Sequence, residues 1–430
     1  MTKRFYYIFT CTLWLLLTLL VPSVGFSANQ DNVDCSTLDG KIMCGYQGWF
    51  NCPGDGSKRG WVHWGRGRLD EGLGRVTFDI WPDMSDYEDD EKFETGFQHQ
   101  DGRNAVVFSS ANKKTVARHF EWMKEYGIDG AFVQRFATSL GSEAKLRNRD
   151  RILNHCREGA EQHGRAFVVM YDLSGMKRDS LGQVIEDWER LLADVKITSS
   201  KAYLHHHGKP LVAIWGVGFR DRHEDKNSYS LENCRDLIKA IKATGCRVML
   251  GVPTGWRERH RDCVDDPAVD SILQLADVIS PWTPGRYQTV QQAQEHGEKV
   301  WAADQTRCEE LNQDYLPVVF PGFSWHNLRD GKAPLGQIPR LKGKFFWSQI
   351  VAAKKAGAKM IYVAMFDEVD EGTAIFKCTD DPPVGQGARF LGMEGLPSDF
   401  YLRLTGHAGK LLRDEVELTE ELPNLIEPDK

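Results

Sequence analysis

Four carboxylates fall within five positions, at Asp367, Glu368, Asp370 and Glu371. Gly372 and Thr373 follow at once, and the run Met360 to Met365 before them is apolar enough to predict a buried strand. Like charges at this spacing repel, and burial raises their pKa values. Such a pair can divide labour, one carboxyl holding a proton as an acid while its neighbour stays ionised as a base. Glu368 and Glu371 are three residues apart. On a turn or short helix they therefore project the same way, which makes them the candidate catalytic residues. A solvated acidic turn is the plainer reading of the same pattern.

The elements that must carry this turn are legible as an alternation. Apolar runs predict strands at Ile42 to Phe50, Gly130 to Phe136, Ala166 to Asp172, Leu211 to Val217, Arg247 to Pro253, Asp277 to Trp282 and Tyr315 to Phe323, with Met360 to Met365 the eighth. Helical spacing separates most of them. Asn112 is placed to cap a helix carrying Val116, Phe120 and Met123, and Gly127 closes it. Asn148 to His163 reads as a second helix, and Val184, Trp188, Leu191, Leu192 and Val195 form the cleanest amphipathic stripe. Parallel strands joined by helices imply right-handed crossovers. The predicted fold is α/β, a (β/α)8 TIM barrel forming one catalytic domain over residues 29–413. A doubly wound open sheet is the alternative, but no Gly-x-Gly-x-x-Gly opens a helix after the first strand. Residues 78–100 read as an irregular, acidic, ordered loop.

In such a barrel the reacting groups lie at the carboxyl ends of the strands. Those ends supply Tyr46, Gln47 and Trp49, then Gln134 and Arg135, Tyr171 and Asp172, Trp215, Thr254 and Trp256, Trp282, Phe323 with Ser324 and Trp325, and last Asp367 with the two glutamates. Trp61, His63 and Trp64 stand in the first long loop, on the same face. An indole must find a partner for its N–H, so a core seldom needs this many tryptophans. Flat aromatic faces suit the C–H faces of pyranose rings, and paired carboxylates among them suggest glycoside hydrolysis. Some of these tryptophans are expected to be lids over the barrel core instead. Asp172 is a third candidate acid, more simply read as a cap or a ligand for a sugar hydroxyl. Arg135 suits a carboxylate or sulfate on a substrate, or pairing with a site acid. His205, His206 and His207 precede the fourth strand at the amino end of the barrel and read as solvated surface.

Lys3 and Arg4, the apolar run Leu13 to Val21 and the small residues up to Ala28 read as a secretory signal peptide over residues 1–28, cleaved between Gly25 and Ala28. The expected location is secreted or periplasmic, with no membrane insertion after cleavage. Net charge is −7 and no basic stripe occurs, so nucleic acid is not an expected partner. Nine cysteines follow the signal; Cys44–Cys52 and Cys234–Cys246 are the expected local disulfides. No CxxC pair occurs, and neither a metal nor a cofactor is expected. The acidic stretch 414–430 reads as a flexible tail.

The segment Asp367-Glu-Val-Asp-Glu-Gly-Thr373 resembles the Asn-Glu-Trp-His-Glu-Gly-Thr segment of glycoside hydrolase family 99, the endo-α-mannosidases and endo-α-mannanases. Pro321-Gly-Phe323 is similar to that family's Pro-Gly-Tyr/Phe segment, and Tyr46 to Trp49 with Trp61, His63 and Trp64 to its first strand and the His-Trp behind it. Bacterial family 71/99-like proteins, some named xylosidase or arabinosidase, share Gly-Tyr-Gln-Gly-Trp-Phe, Phe-Pro-Gly-Phe-Ser-Trp and Phe-Asp-Glu-x-x-Glu-Gly-Thr with this chain. The matches run in order from Ile42 to Phe376. The resemblance implies a metal-independent barrel acting on α-linked glycans with retention, through a 1,2-anhydro sugar. It implies Glu368 as the base on the 2-hydroxyl and Glu371 as acid/base at the glycosidic oxygen. Asp367, Val369 and Asp370 stand where the family has Asn, Trp and His, which reshapes the sugar subsite. Two other readings remain: a non-catalytic glycan-binding barrel, and a barrel glycosidase using Asp172 with one glutamate.

Overall fold

The computed structural model describes residues 1–2, 32–71, 74–385 and 387–425. The expected signal peptide lies almost wholly outside the described residues. The fold is that of the unit spanning Asp31–Lys430.

Among the described residues, eight parallel strands form the centre: β1 (Ile42–Tyr46), β2 (Gly130–Phe136), β3 (Ala166–Asp172), β4 (Lys209–Trp215), β5 (Arg247–Pro253), β6 (Val278–Trp282), β7 (314–319) and β8 (Ile361–Val363). Each pairs with its sequence neighbours, and β1 also pairs with β8. β7 closes the barrel. Its first half, Asp314–Tyr315, pairs with β6, and its second half, Val318–Val319, pairs with β8. The Leu316 amide continues the first ladder to the Ile279 carbonyl (2.9 Å), and the Tyr362 amide continues the second to the Pro317 carbonyl (3.0 Å). The sheet is therefore a closed (β/α)8 barrel and not an open doubly wound sheet. Proline suits the crossing point because it has no N–H to leave unpaired.

Helices follow the alternation: α1 (Lys113–Glu125), α2 (Glu143–His163), α3 (Gly182–Arg190), α4 (Leu231–Ala243), α5 (Ala268–Leu273), α6 (290–310), α7 (Lys344–Lys355) and α8 (Phe400–Leu412). The Asn112 side chain caps α1 by accepting from the Lys114 amide. α2 begins at Glu143, a turn before the apolar stripe that marked it in the sequence. Side chains alternate along each strand. On one face, Phe132, Gln134, Met170 and Tyr362 meet inside the barrel, with the Phe132 and Tyr362 rings 5.2 Å apart. On the other face, Tyr46, Arg135 and Tyr171 point outward under the helices.

Several expectations are corrected. Residues 93–107 are not wholly irregular but hold a hairpin, Phe93–Gln98 against Asn104–Val107. All nine described cysteines are free. Cys44 is buried in β1, while the Cys52 thiol, in the loop beyond, donates to the Phe108 carbonyl, so the two are not brought together. Cys234 is buried inside α4 and Cys246 donates no bridge to it. The stretch 414–425 has no regular element yet is tied down. Lys354 pairs with Asp414 at 2.7 Å, the Trp347 indole donates to the Thr419 carbonyl, and Val416, Leu422 and Leu425 pack on the core. His206 is buried rather than solvated. Its Nδ1 accepts from the Leu38 amide (3.2 Å), which leaves Nε2–H to donate to Asp314 (2.9 Å). No helix among the described residues is long and apolar enough to cross a membrane.

Candidate active site

The acidic turn grows directly from β8. The Phe366 amide donates to the Gly45 carbonyl (2.8 Å), fixing the exit of the strand against β1. The amides of Thr373 and Ala374 both return to the Glu368 carbonyl (3.0 Å each), which folds residues 368–374 into a compact loop. Gly372 sits at φ 65°, and a Cβ there would lie 2.8 Å from the Ser324 amide nitrogen. That amide donates to the Glu371 carbonyl (2.9 Å). Glycine is required because only it combines this left-handed backbone with so close an approach.

The four carboxylates have four different environments. Asp367 is fully buried, and its two oxygens accept the amides of Gln47 (2.7 Å) and Gly48 (2.9 Å). Burial outweighs those bonds and pushes its carboxyl up to about 7. Both oxygens are committed, so Asp367 clasps the turn to the β1 loop and is not a substrate ligand. Glu368 accepts the Gln47 amide nitrogen on Oε1 (2.7 Å) and the Thr373 hydroxyl on Oε2 (2.8 Å). Burial, then the Glu371 and Asp370 charges, push it well above the ordinary carboxylate range. Asp370 meets His63 Nδ1 at 2.8 Å through one oxygen, and its other oxygen is buried without a partner. Glu371 is partly exposed, and no described residue hydrogen-bonds its carboxyl group. Burial and the Asp370 charge raise it to about 7, and Arg329 opposes the shift.

One carboxyl is thus held in a fixed orientation and the other is free to meet a ligand, with both favouring protonation more than usual. A fixed carboxyl beside a free one suits a base and an acid acting on neighbouring atoms, and the raised pKa suits the acid. Asp172 ends β3 with its Oδ1 accepting the Ser174 amide (2.7 Å), a local turn and not a cap for the next helix, which begins at Gly182, and its charge reaches Glu371.

The aromatic residues divide sharply. Trp64 is fully buried, its indole donating to the Phe108 carbonyl (2.8 Å) among Phe50, Phe78 and Phe108. Trp256 is also buried. Tyr46 bonds His119 (2.9 Å) beneath α1, and Tyr171 donates to Asp187 (2.7 Å) beneath α3. Arg135 is buried and grips Asp187 through two nitrogens (2.5 and 2.6 Å) and Asp150 through one (2.7 Å). None of these five faces the barrel mouth, because each occupies the wrong position in the strand alternation or a filled core. Gln134 bonds the Tyr362 hydroxyl (3.3 Å) inside the barrel, below the mouth. Trp49 is stacked on His63 at 3.7 Å and on Phe136 at 5.0 Å, so its faces are taken. Phe323 is buried against Trp325. Half-buried tryptophans remain at Trp61, Trp215, Trp282 and Trp325.

Three positioning residues carried no sequence signal of their role. Gln47, noted only as a strand end, orients Glu368. Arg149 of α2, one of several arginines in that helix, donates to the carbonyls of Gln47 and Gly48 (3.3 Å each). Asp79, in the loop read as irregular, accepts the Ser324 hydroxyl (2.5 Å) and the amides of His326 (2.6 Å) and Asn327 (2.8 Å), pinning the Trp325 loop.

No family model matches the sequence, and no curated protein matches it. Solved structures do. The GH99 endo-α-mannosidase from Bacteroides thetaiotaomicron matches with a TM-score of 0.61 at 18% identity, over 88% of this chain and 99% of that one. The same protein in complex with Bis-Tris propane matches with a TM-score of 0.61 at 17% identity, over 88% and 98%. Nearly the whole length of that barrel is thus traced by this one, and the chain has the fold of the GH99 endo-α-mannosidase.

Proposed function

We propose that the protein is a retaining glycoside hydrolase acting on α-linked glycans, with Glu368 and Glu371 as its catalytic pair. The observation that carries this reading is the contrast between the two carboxyls on one turn at the barrel mouth. Glu368 is gripped by Gln47 and Thr373, while Glu371 is raised and has no partner among the described residues. The likeness in fold to a GH99 endo-α-mannosidase supports it. So do half-buried tryptophans around the mouth, which a carbohydrate ring can stack upon.

In this mechanism Glu368 draws the proton from the sugar 2-hydroxyl, and that oxygen attacks C1. The C1–O2 bond forms as the glycosidic C1–O bond breaks, and Glu371 protonates the departing oxygen. Water then opens the 1,2-anhydro sugar at C1, giving a proton to Glu371, while Glu368 returns its proton to O2. Two displacements at C1 retain the anomeric configuration. The raised pKa suits Glu371, which holds its proton up to about pH 7; the upward push on Glu368 opposes its role as base, so the scheme requires the proton of the interacting pair to sit on Glu371 in the reactive state. The altered neighbours Asp367, Val369 and Asp370 leave the sugar itself open. Export through the signal segment belongs to the same reading, as a polysaccharide must be met outside the cell.

The test is incubation with α-linked polysaccharides, scoring new reducing ends, together with early-time proton NMR of the first product. Glu371→Gln should lose far more activity on natural glycan than on an aryl glycoside with a good leaving group, which departs without protonation. Glu368→Gln should fail on both, each loss being roughly 10²–10⁴-fold. Inversion of configuration, or near-normal turnover by Glu368→Gln, would overturn the scheme and point to Asp172. Binding without any cleavage would leave a glycan-binding barrel.

A further inference from the structure

A cavity of about 710 Å³ opens among the loops that follow β4, β5 and β6, away from the acidic turn. Its aromatic part is Trp215 and Trp282, which end β4 and β6 and meet edge to face at 5.4 Å. Four arginines line it: Arg220, Arg222, Arg261 and Arg286. The acids beside them are Asp221, Glu224 and Asp262.

Most of these charges are accounted for internally. Asp262 binds Arg286 at 2.6 Å and also accepts the Thr254 hydroxyl and the Gly255 amide, so that pair knits two loops together. Arg220 donates to the Cys263 carbonyl (3.1 Å) and stands 3.8 Å from Glu224. Two guanidiniums remain. Arg222 lies over Trp215 (4.6 Å) and Phe219 (4.8 Å), with one nitrogen on the Ser174 hydroxyl and a 3.3 Å approach to the exposed Asp221. Arg261 is exposed and reaches the Arg286 carbonyl at 3.5 Å, and among the described residues it has no carboxylate within ion-pair distance. Packing explains Arg222 in part, since a guanidinium covers an indole well. It does not explain Arg261, nor an arginine surplus at the mouth of a chain whose net charge is −7.

The cavity lies at the same carboxyl end of the barrel as the catalytic groups, since Trp215 and Trp282 end β4 and β6. Trp282 meets Tyr362 at 6.3 Å inside the barrel, and the Ser174 that Arg222 contacts gives its amide to Asp172, whose charge reaches Glu371. A glycan lying across the mouth from Glu371 toward β5 would enter this cavity. Indole faces take a pyranose ring, while forked guanidiniums bind planar or tetrahedral oxyanions through paired hydrogen bonds.

We propose that this cavity is a subsite for a sugar unit carrying an anionic substituent, a sulfate ester or a uronate carboxylate, with Arg222 and Arg261 as its ligands. The proposal rests on the reading of the barrel mouth as a glycan site and names its substrate class. The probes are oligosaccharides from an α-mannan and an α-glucan, each in neutral, O-sulfated and primary-alcohol-oxidised form, titrated calorimetrically into the full protein and its Glu371→Gln variant. At least one anionic form should bind about tenfold or more tighter than its neutral parent, and the preference should shrink as salt screens it. The sulfated and oxidised arms distinguish the two anions. Arg222→Gln/Arg261→Gln should abolish the preference, whereas Arg147→Gln/Arg307→Gln, on α2 and α6 and outside the cavity lining, should leave it. If the double variant fails to fold, Arg261→Gln alone should at least halve the preference, since that exposed side chain holds no ion pair. Equal binding of every neutral and anionic pair, or a preference undiminished without these arginines, would overturn the subsite. Binding needs no bond cleavage, so absence of hydrolysis on all probes would sink the hydrolase reading while leaving this measurement intact.

Discussion

Asp370 lies between the two glutamates in the chain, and its charge raises both. One of its oxygens is held by His63, which is itself stacked on Trp49, so the charge is fixed in place. This gives Asp370 a testable electrostatic role. Glu371 works as an acid only while protonated, so activity on natural glycan should fall as pH rises through about 7. Asp370→Asn removes a negative neighbour, so the protonated form of Glu371 loses support and its pKa drops. The alkaline limb of kcat/KM should therefore move to lower pH. The same limb should be weak on an aryl glycoside that leaves unprotonated. A limb that stays in place in Asp370→Asn would show that another group controls it.

At the scale of elements, the site depends on loops fastened from several sides. The acidic turn is joined to the loop after β1 through Asp367, to the Trp325 loop through Ser324, and to the stretch 78–100 through Asp79, whose amide donates to the Val369 carbonyl (3.4 Å). Gly372 is the point where the turn and the Trp325 loop nearly touch. Gly372→Ala would place a methyl group 2.8 Å from a backbone nitrogen and force an unfavourable φ. It should destabilise the fold by about 1–3 kcal/mol and displace Glu371. Urea unfolding and activity measured together provide the check, and an unchanged midpoint with full activity would refute the role given to this contact. Gly45 is a second such point, since any Cβ there would run into Tyr362 and Met365 inside the barrel.

For the whole molecule, the buried carboxyls carry a cost. Glu371 is raised from its ordinary 4.5 to about 7 and Asp367 from 3.8 to about 7, so the folded state binds more protons than the unfolded chain across those intervals. Their contribution to stability therefore declines as pH rises from about 4 to 7. Glu371→Gln removes one titrating group, so its melting temperature relative to the parent should be higher at pH 8 than at pH 5. A constant difference would mean that the carboxyl is not raised. The thiols offer a separate test. All nine described cysteines are unpaired, and burial pushes each of them up, from half-buried Cys35 to fully buried Cys44 and Cys378. Alkylation after denaturation without reductant should add nine labels, and the intact mass of protein from the native host should correspond to a start near Ala28. Fewer labels would reveal a disulfide, and retention of the first residues would contradict export.

Much of the architecture was legible because alternation of apolar strands and amphipathic helices is a local property, written residue by residue from Ile42 to Val363. Glu368 and Glu371 were legible for a similar reason: their spacing, and the glycine and threonine after them, lie in one stretch. What faces the site was a different matter. Tyr46 and Gln47 are adjacent, yet one bonds His119 under α1 and the other orients Glu368, because successive strand residues point to opposite sides of the barrel wall. Arg135 and Tyr171 fell on the outward side for that reason, and Trp64 found its indole partner in a backbone carbonyl of a distant loop. Closure at Pro317, the clasp made by Asp367 and the anchoring of Trp325 by Asp79 all join residues far apart in the chain. Local sequence determines which elements form and which residues carry charge. Only the closed barrel decides which of those charges are neutralised by a neighbour and which are left to meet a substrate.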